Sequence, residues 1–227
     1  MLTISTVIGP VSYPIIASTM KRQDVKIYFE EREADVYLNA IPVLGKVEYI
    51  LVSKMLLITP KLGNKIAIWK KGSANDLLLQ LLLKLYSLNP EVVYVDNPNE
   101  VYKLYSSGEV DSAMVTVGMT SEGLYVEDLF KNKGFDLPGI CGAKVIRNGD
   151  DFESAYREGI DLFKENPEEV SEYIMDNLPI MRPSTFIRKI METAVYEVKR
   201  TNFDFEAFKD RVFSSVNETP FNDKGRD

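Results

Sequence analysis

One stretch of the sequence, Lys65–Gly118, constrains the fold more than any other. Short β-rich apolar runs at Ile66–Trp69, Val92–Val95 and Ala113–Val117 alternate with two segments of helical pattern. The order strand, helix, strand, helix, strand is typical of parallel α/β structure. Ligands in such structures bind beyond the carboxyl ends of the strands, so the loops that follow these runs are candidate binding loops.

The turn after the first of these runs has the features of an anion site. Ser73 and Asp76 fit the capping-box pattern, which places backbone N–H groups at the start of a helix. Two lysines beside the turn add positive charge in a chain whose formal net charge is −7. The alternative is a plain helix cap with solvated lysines. The candidate ligand-binding residues here are Lys71, Gly72, Ser73 and Asn75.

Other loops that follow predicted strands supply hydroxyl, amide and ring groups. The candidate ligand-binding residues in them are Ser12, Tyr13, Asn39, Thr116 and Gly118. Three of them have a structural alternative: Ser12 as a helix cap, Tyr13 as a core residue and Asn39 as a turn residue. Trp69 also precedes the capped turn, but strand alternation would equally bury it.

The segment Leu77–Leu88 is predicted to be a helix that is apolar nearly all round. Such a helix is covered on more than one side. We expect it to pack on the sheet and on a second element, and a homodimer contact is the alternative for that second side. Since the run is interrupted by Gln80 and Lys84, it is too short to span a membrane.

Composition excludes several classes of chemistry. The chain of 227 residues has no histidine and one cysteine, Cys141, so histidine catalysis, an intrachain disulfide and a cysteine-cluster zinc site are ruled out. We expect no metal, no cofactor and no catalytic residue. The negative net charge of the chain argues against a nucleic-acid partner. Without a basic start followed by a long apolar run, the expected location is cytoplasmic, or extracytoplasmic if a leader has been removed.

The rest of the chain shows a change of character after Asn148, beyond which only helices are predicted. One helical pattern runs from Phe186 to Val198, and a last helix from Asp204 to about Val216. The polar end, Asn217–Asp227, is expected to be frayed. A break at Pro60–Asn64 is predicted to separate two lobes.

Several segments in this order resemble landmarks of the type II periplasmic-binding-protein superfamily. They are ISTVIGPVSYP, ADVYLNAIP, KIAIWKKGSAND, LYSSGEVDSAMV and FKENPEEVSEYI, and together they cover most of residues 1–178. The last resembles the aliphatic-sulfonate and nitrate-type binding proteins. The resemblance implies an α/β, two-lobe fold with a helical C-terminal segment. Lobe one would hold residues 1–62 and 140–227, and lobe two residues 63–139.

The resemblance implies non-catalytic binding of a small, anionic metabolite in a cleft between lobes that close on it. It also implies an ABC-type permease as partner. The alternative is a cytoplasmic enzyme on the same scaffold, such as a lyase resembling the chorismate dehydratase of menaquinone biosynthesis. The chain is shorter than typical members of that superfamily.

Overall fold

Two mixed β-sheets organise the chain in the computed structural model, which describes residues 1–217. The expectation for the polar end after Asn217 lies outside the described residues. The first sheet has six strands in the order β11-β4-β10-β3-β1-β2. These strands are β1 (Leu2–Thr6), β2 (Val25–Tyr28), β3 (Val36–Ala40), β4 (Lys46–Ser53), β10 (Cys141–Val145) and β11 (Val195–Asp204).

The second sheet has five strands in the order β7-β6-β8-β5-β9. They are β5 (Leu56–Thr59), β6 (Lys65–Trp69), β7 (Glu91–Val95), β8 (Ser112–Thr116) and β9 (Leu124–Tyr125). β6 runs parallel to β7 and β8, whereas β5 is antiparallel to β8 and β9. The predicted strand, helix and strand alternation of the central stretch is therefore confirmed.

Helices connect and cover the two sheets. They are α1 (Tyr13–Ser18), α2 (Ile41–Leu44), α3 (Ala74–Leu85), α4 (Pro98–Ser106), α5 (Val126–Lys131), α6 (Gly149–Glu165), α7 (Pro167–Asn177), α8 (Ser184–Thr193) and α9 (Phe205–Asn217). A short 3-10 turn, Pro10–Ser12, precedes α1. Among the described residues no helix has the length and apolar character that crossing a bilayer requires.

The strand β11 corrects the expectation that only helices follow Asn148. The predicted helix from Phe186 to Val198 ends at Thr193, and the chain then runs antiparallel along β4. The apolar spacing of Ala194, Val195 and Val198 fits a helix, but the edge of β4 offers backbone hydrogen bonds along most of its length, in a pairing interrupted by two register shifts. Tertiary pairing outweighs the local pattern here.

Within residues 1–217 two chain crossings join the sheets, and the first corrects a predicted boundary. It lies between β4 and β5, at Lys54–Met55, and not near residue 62. The sequence assigned Leu56–Thr59 to lobe one, but this strand pairs with β8 of the second sheet. The second crossing follows α5 and leads into β10, where Ile140 N–H donates to the Val52 carbonyl at 2.8 Å. The crossings therefore lie side by side.

The C-terminal helix α9 packs across to the second sheet's helices, although the sequence placed it in lobe one. It contacts α3, and the Phe208 ring lies 5.2 Å from the ring of Phe130 in α5. On its other side α3 contacts β6. The prediction that the leucine-rich helix is covered on more than one side is confirmed, and α9 supplies the second cover. A homodimer contact stays a prediction.

Glu127 is a buried carboxyl at the first crossing. Its side chain in α5 accepts a hydrogen bond from Lys54 N–H at 2.6 Å, while Oε2 has no partner among the described residues. Burial raises the pKa of Glu127 above the ordinary value of 4.5, and the Lys54 amide and charge oppose this only in part. The folded protein therefore holds this proton more tightly than the unfolded chain does.

This raised pKa predicts a pH-dependent difference between the protein and its Glu127→Gln variant. The protonated carboxyl makes its full contribution to the free energy of unfolding below about pH 4.5. This contribution is lost as the pH rises through the raised pKa. Relative to the variant, which does not titrate, the protein should lose unfolding free energy over that window. Urea denaturation between about pH 4 and pH 8 measures it, with Glu122→Gln on the exposed surface as control. A difference that does not vary with pH would contradict the expectation.

Candidate functional site

A cavity of about 620 Å3 lies where strand-end loops from both sheets meet, and we call it the cleft. The loop after β1 and the start of β5 form part of its wall. The ends of β6 and β8 and the first turns of α3 and α4 form another part, and the chain from Ile180 to Ile190 closes a third side. Most lining side chains are apolar. Arg182 is the one charged residue among the described residues that line it.

Arg182 lies in the connection between α7 and α8. Its guanidinium donates to the hydroxyl of Tyr13 at 2.8 Å and lies 5.6 Å from the centre of the Phe186 ring. Among the described residues, no carboxylate forms an ion pair with it. Its positive charge is therefore not compensated within this part of the chain.

Tyr13 holds Arg182 in place without neutralising it. The tyrosine side chain is completely buried. Burial raises the pKa of its hydroxyl, and this outweighs the opposite effect of the neighbouring Arg182. The phenol is consequently uncharged at neutral pH and accepts a hydrogen bond as a neutral group, so the pair keeps a full positive charge.

Trp69 presents a fixed aromatic ring to the cleft. It ends β6, and its indole Nε1 donates to the carbonyl of Asp96 at 3.0 Å. The side chain is half-buried, against the core on one side and the cavity on the other. Since the polar atom of the ring is already bonded, the surface left for a ligand is apolar.

Two of the predicted site residues line the cleft directly. Asn75, in the first turn of α3, and Thr116, at the end of β8, both contribute to its wall. Neither side chain makes a hydrogen bond to another described residue, so an amide and a hydroxyl remain available for a ligand. These two groups come from adjacent strand ends of the second sheet, as the topology of parallel strands requires.

Ser12 and Tyr13 do not line the cleft. Ser12 is fully buried, and its hydroxyl donates to the Gly9 carbonyl at 2.8 Å. It therefore stabilises the turn that carries Gly9 and Pro10, and these two residues do line the cleft. Tyr13 acts through Arg182. Both predicted residues therefore act on the site indirectly, by positioning residues that line the cleft.

The anion site predicted at the Lys70–Ser73 turn is filled by the chain itself. The Gly72 N–H donates to the Asp76 carboxylate at 2.8 Å, and the Ser73 hydroxyl accepts from Asp76 N–H while donating to the Trp69 carbonyl at 3.0 Å. Lys71 and Gly72 are exposed and lie outside the cleft lining. The turn instead fixes the end of β6 and therefore the position of Trp69.

Asn39 and Gly118 do not line the cleft. Asn39 lines a separate cavity of about 730 Å3 on the first sheet, and its Oδ1 accepts from Ala40 N–H at 2.8 Å. Gly118 lies behind the cleft, where a Cβ atom would come within 2.8 Å of side-chain atoms of Phe186 and Ile190. Its lack of a side chain lets α8 approach the loop after β8 closely.

The sequence alone did not identify the third wall of the cleft. Arg182, Phe186 and Met181 come from the connection between α7 and α8 and from α8 itself, and they follow no strand. Met119 was also missed, although it lies in the loop after β8. The two prolines at 179 and 183 were the available signal, since they mark a fixed irregular segment between helices.

Solved structures with the same fold are numerous, and three illustrate the range. A candidate nitrate transport protein from Thermoplasma volcanium is 24% identical, with a TM-score of 0.73 over 96% of this chain and 94% of its own. The alkanesulfonate-binding protein SsuA from Xanthomonas axonopodis pv. citri, bound to MOPS, is 13% identical, with a TM-score of 0.58 over 96% and 94%. A Candida albicans protein described as having the generic periplasmic-binding-protein fold is 13% identical, with a TM-score of 0.56 over 96% and 90%.

These likenesses confirm the fold class expected from the sequence, a two-lobe α/β fold of the periplasmic-binding-protein type. Curated proteins give no match to this sequence. Residues 1–197 match a family described as a protein of unknown function, DUF3834. Because the match covers most of the chain, the protein belongs to the DUF3834 family.

Proposed function

We propose that this protein binds a small organic anion in the cleft and closes its two lobes around it, without catalysis. The observation that carries the proposal is Arg182, whose guanidinium forms no ion pair with any described residue and lies in a largely apolar cavity between two sheets. A cation in such a setting attracts an anion more strongly than an exposed lysine does, because less water screens it. Its planar donors also suit a carboxylate, sulfonate or phosphonate group.

The arrangement of the wall supports closure. The second sheet contributes Trp69, Asn75 and Thr116, while the loop after β1 and the Arg182 segment are connected to the first sheet. A ligand that touches both sides has more contacts when they come together, and so stabilises the closed state by its differential affinity. The adjacent crossings at Lys54–Met55 and before β10 are the natural hinge.

The structural relatives support an anionic ligand. The Xanthomonas protein with this fold is named for alkanesulfonates and is bound to MOPS, and the Thermoplasma protein is named for nitrate transport. The same relatives are the basis for proposing an ABC-type permease as the partner of this protein, and that partner stays a proposal. A cytoplasmic location remains an expectation from the sequence.

Arg182→Met is the variant that tests the proposal. A charge-assisted hydrogen bond contributes about 1.5–3 kcal/mol, so anion affinity should fall by at least ~10-fold while the fold is retained. Isothermal titration calorimetry with the tightest binder from a panel of organic acids, sulfonates and phosphates gives the measurement. Arg188→Met is the matched control, since Arg188 lies on α8, is exposed and pairs with Glu192 outside the cleft.

Equal loss in both variants, or no loss at Arg182, would contradict the assignment of the anion to this residue. Thermal denaturation provides the broader test, because a ligand at about 100 times its Kd adds about 2.7 kcal/mol of stability. If no compound in the panel stabilises the protein, the binding function itself is wrong. Turnover of a bound compound would favour the lyase-like alternative.

A further inference from the structure

We infer that the ligand is a monoanion with a flat apolar body of about one aromatic ring, and that inorganic anions are excluded as specific ligands. This inference rests on the proposed function and specifies the substrate class of the same site. It depends on the size of the cleft, on the composition of its walls and on the number of charges it offers.

The size of the cleft is the first observation. At about 620 Å3 it falls within the range of pockets that enclose whole organic molecules. An inorganic anion at Arg182 would occupy a small part of this space. The remainder would hold water against apolar walls, which gives no gain in free energy over bulk solvent.

The second observation is what the walls are made of. Trp69 comes from the second sheet, Met119 from the loop after β8, and Phe186 from α8. Each is half-buried, with apolar surface still facing the cavity. The Trp69 ring cannot rotate freely, because its N–H is bonded to the Asp96 carbonyl at 3.0 Å. Flat aromatic faces and methionine sulfur are favourable neighbours for another aromatic ring.

The third observation concerns charge. Within the described lining Arg182 is the single ionised side chain, and the other polar side chains, such as Asn75 and Thr116, are neutral. One guanidinium compensates one negative charge. A dianion would bring a second charge into an apolar cavity with no partner, and burying an unpaired charge is costly. The site therefore favours a single carboxylate or sulfonate over doubly charged groups.

The exposure of Met181 fits a ligand that completes the wall. Its side chain is 99% exposed although the residue borders the cleft, and it lies directly before Arg182. Closure over an apolar ligand would remove this methionine from water. An inorganic anion has no apolar surface with which to cover it.

The test uses Trp69 as its own reporter, because it is the only tryptophan in the chain. The full-length protein is titrated with sodium nitrate, sodium sulfate, methanesulfonate, benzenesulfonate, 1,3-benzenedisulfonate and benzamide, followed by tryptophan fluorescence and by calorimetry. We expect benzenesulfonate to bind at least ~10-fold more tightly than methanesulfonate and the disulfonate. Nitrate, sulfate and the uncharged benzamide should bind more weakly still.

The variant Met119→Gln adds a readout that a general loss of stability would not give. It keeps the side-chain length but makes this part of the wall polar. The ratio of benzenesulfonate to methanesulfonate affinity should fall by several-fold, while methanesulfonate, which reaches only Arg182, should bind as before. An unchanged ratio would contradict the role of this wall.

The outcomes separate the two proposals. If nitrate, sulfate or methanesulfonate binds as tightly as benzenesulfonate, the inference about the apolar body is wrong and the anion-binding function stands. If the disulfonate binds more tightly than benzenesulfonate, the inference of a monoanion is wrong. If no anion binds, in either fluorescence or calorimetry, the proposed function fails and this inference fails with it.

Discussion

Replacing Gly159 with alanine is expected to destabilise the protein by about 3 kcal/mol or more, although alanine is the better helix former. Gly159 lies inside α6, and there the exchange should stabilise an isolated helix by about 1 kcal/mol. In the folded protein the effect of this exchange on stability has the opposite sign. A Cβ atom at this position would lie 1.7 Å from the carbonyl oxygen of Pro14 in α1. Two helices would have to move apart, which places the cost at or above the usual ~1–3 kcal/mol for overpacking.

The obstacle is backbone, so a side-chain rotation cannot relieve it. The polypeptide around Pro14 is held by the buried Tyr156, whose hydroxyl donates to the Val11 carbonyl at 2.9 Å. A displaced α1 would also move Tyr13 and with it the guanidinium of Arg182. The variant should therefore lose anion affinity as well as stability.

Gly149→Ala is the matched control, because it changes the same residue type in the same helix. Its Cβ atom would meet the nearest side chain at 3.4 Å, an ordinary van der Waals distance. Urea denaturation followed by circular dichroism should show a large loss for Gly159→Ala and less than about 1 kcal/mol for Gly149→Ala. Similar stability for the two variants would show that α1 and α6 are not in the close contact described.

Local patterns predicted the central part of the fold well. The alternation within Lys65–Gly118 uses short strands with helices between them, and each element is specified by residues next to it in sequence. β11 was missed for the opposite reason. Its partner, β4, lies more than a hundred residues earlier in the chain. The local sequence near Val195 contains no pattern that indicates pairing with the edge of such a distant strand.

The candidate site was predicted only in part, and the reason differs between residues. Asn75 and Thr116 follow strands of one sheet, so topology alone brings them together. Arg182 reaches the cleft through the packing of α7 and α8, which the sequence around it does not reveal. The anion site predicted at Gly72 is not open to a ligand, and the residue responsible was visible in the sequence. Asp76, read as the acid of a capping box, is itself the group that takes the free N–H.

Asp35→Asn is expected to cost about 2.5 kcal/mol at neutral pH, the second large effect on stability. The carboxylate lies between β1 and the segment after β10 and is 2% exposed. It accepts hydrogen bonds from the amide and hydroxyl of Thr3, both at 2.8 Å, and from the guanidinium of Arg147. An amide side chain has one acceptor oxygen, so its NH2 group would face one of these donors.

The size of the effect follows from the pKa. Burial alone would raise it, but the hydrogen bonds from Arg147, Thr3 and Asn148 outweigh burial and lower the pKa of Asp35 from 3.8 to about 2. At about 1.4 kcal/mol for each tenfold change in the acid constant, this corresponds to about 2.5 kcal/mol in favour of the folded state. That stability is complete above the unfolded pKa and is lost as the pH falls through the folded one.

The difference in unfolding free energy between the protein and Asp35→Asn should therefore be constant from about pH 5 upward and shrink progressively toward pH 2. Guanidinium chloride denaturation at about pH 7, 5, 4 and 3 measures it. Asp24→Asn provides the comparison, because Asp24 also pairs with an arginine, Arg22, but its side chain is 54% exposed. Exposed pairs contribute less than about 1 kcal/mol, so that variant should differ little from the protein. Equal costs at Asp35 and Asp24 would show that burial and the Thr3 hydrogen bonds do not set the strength of the Asp35 contact.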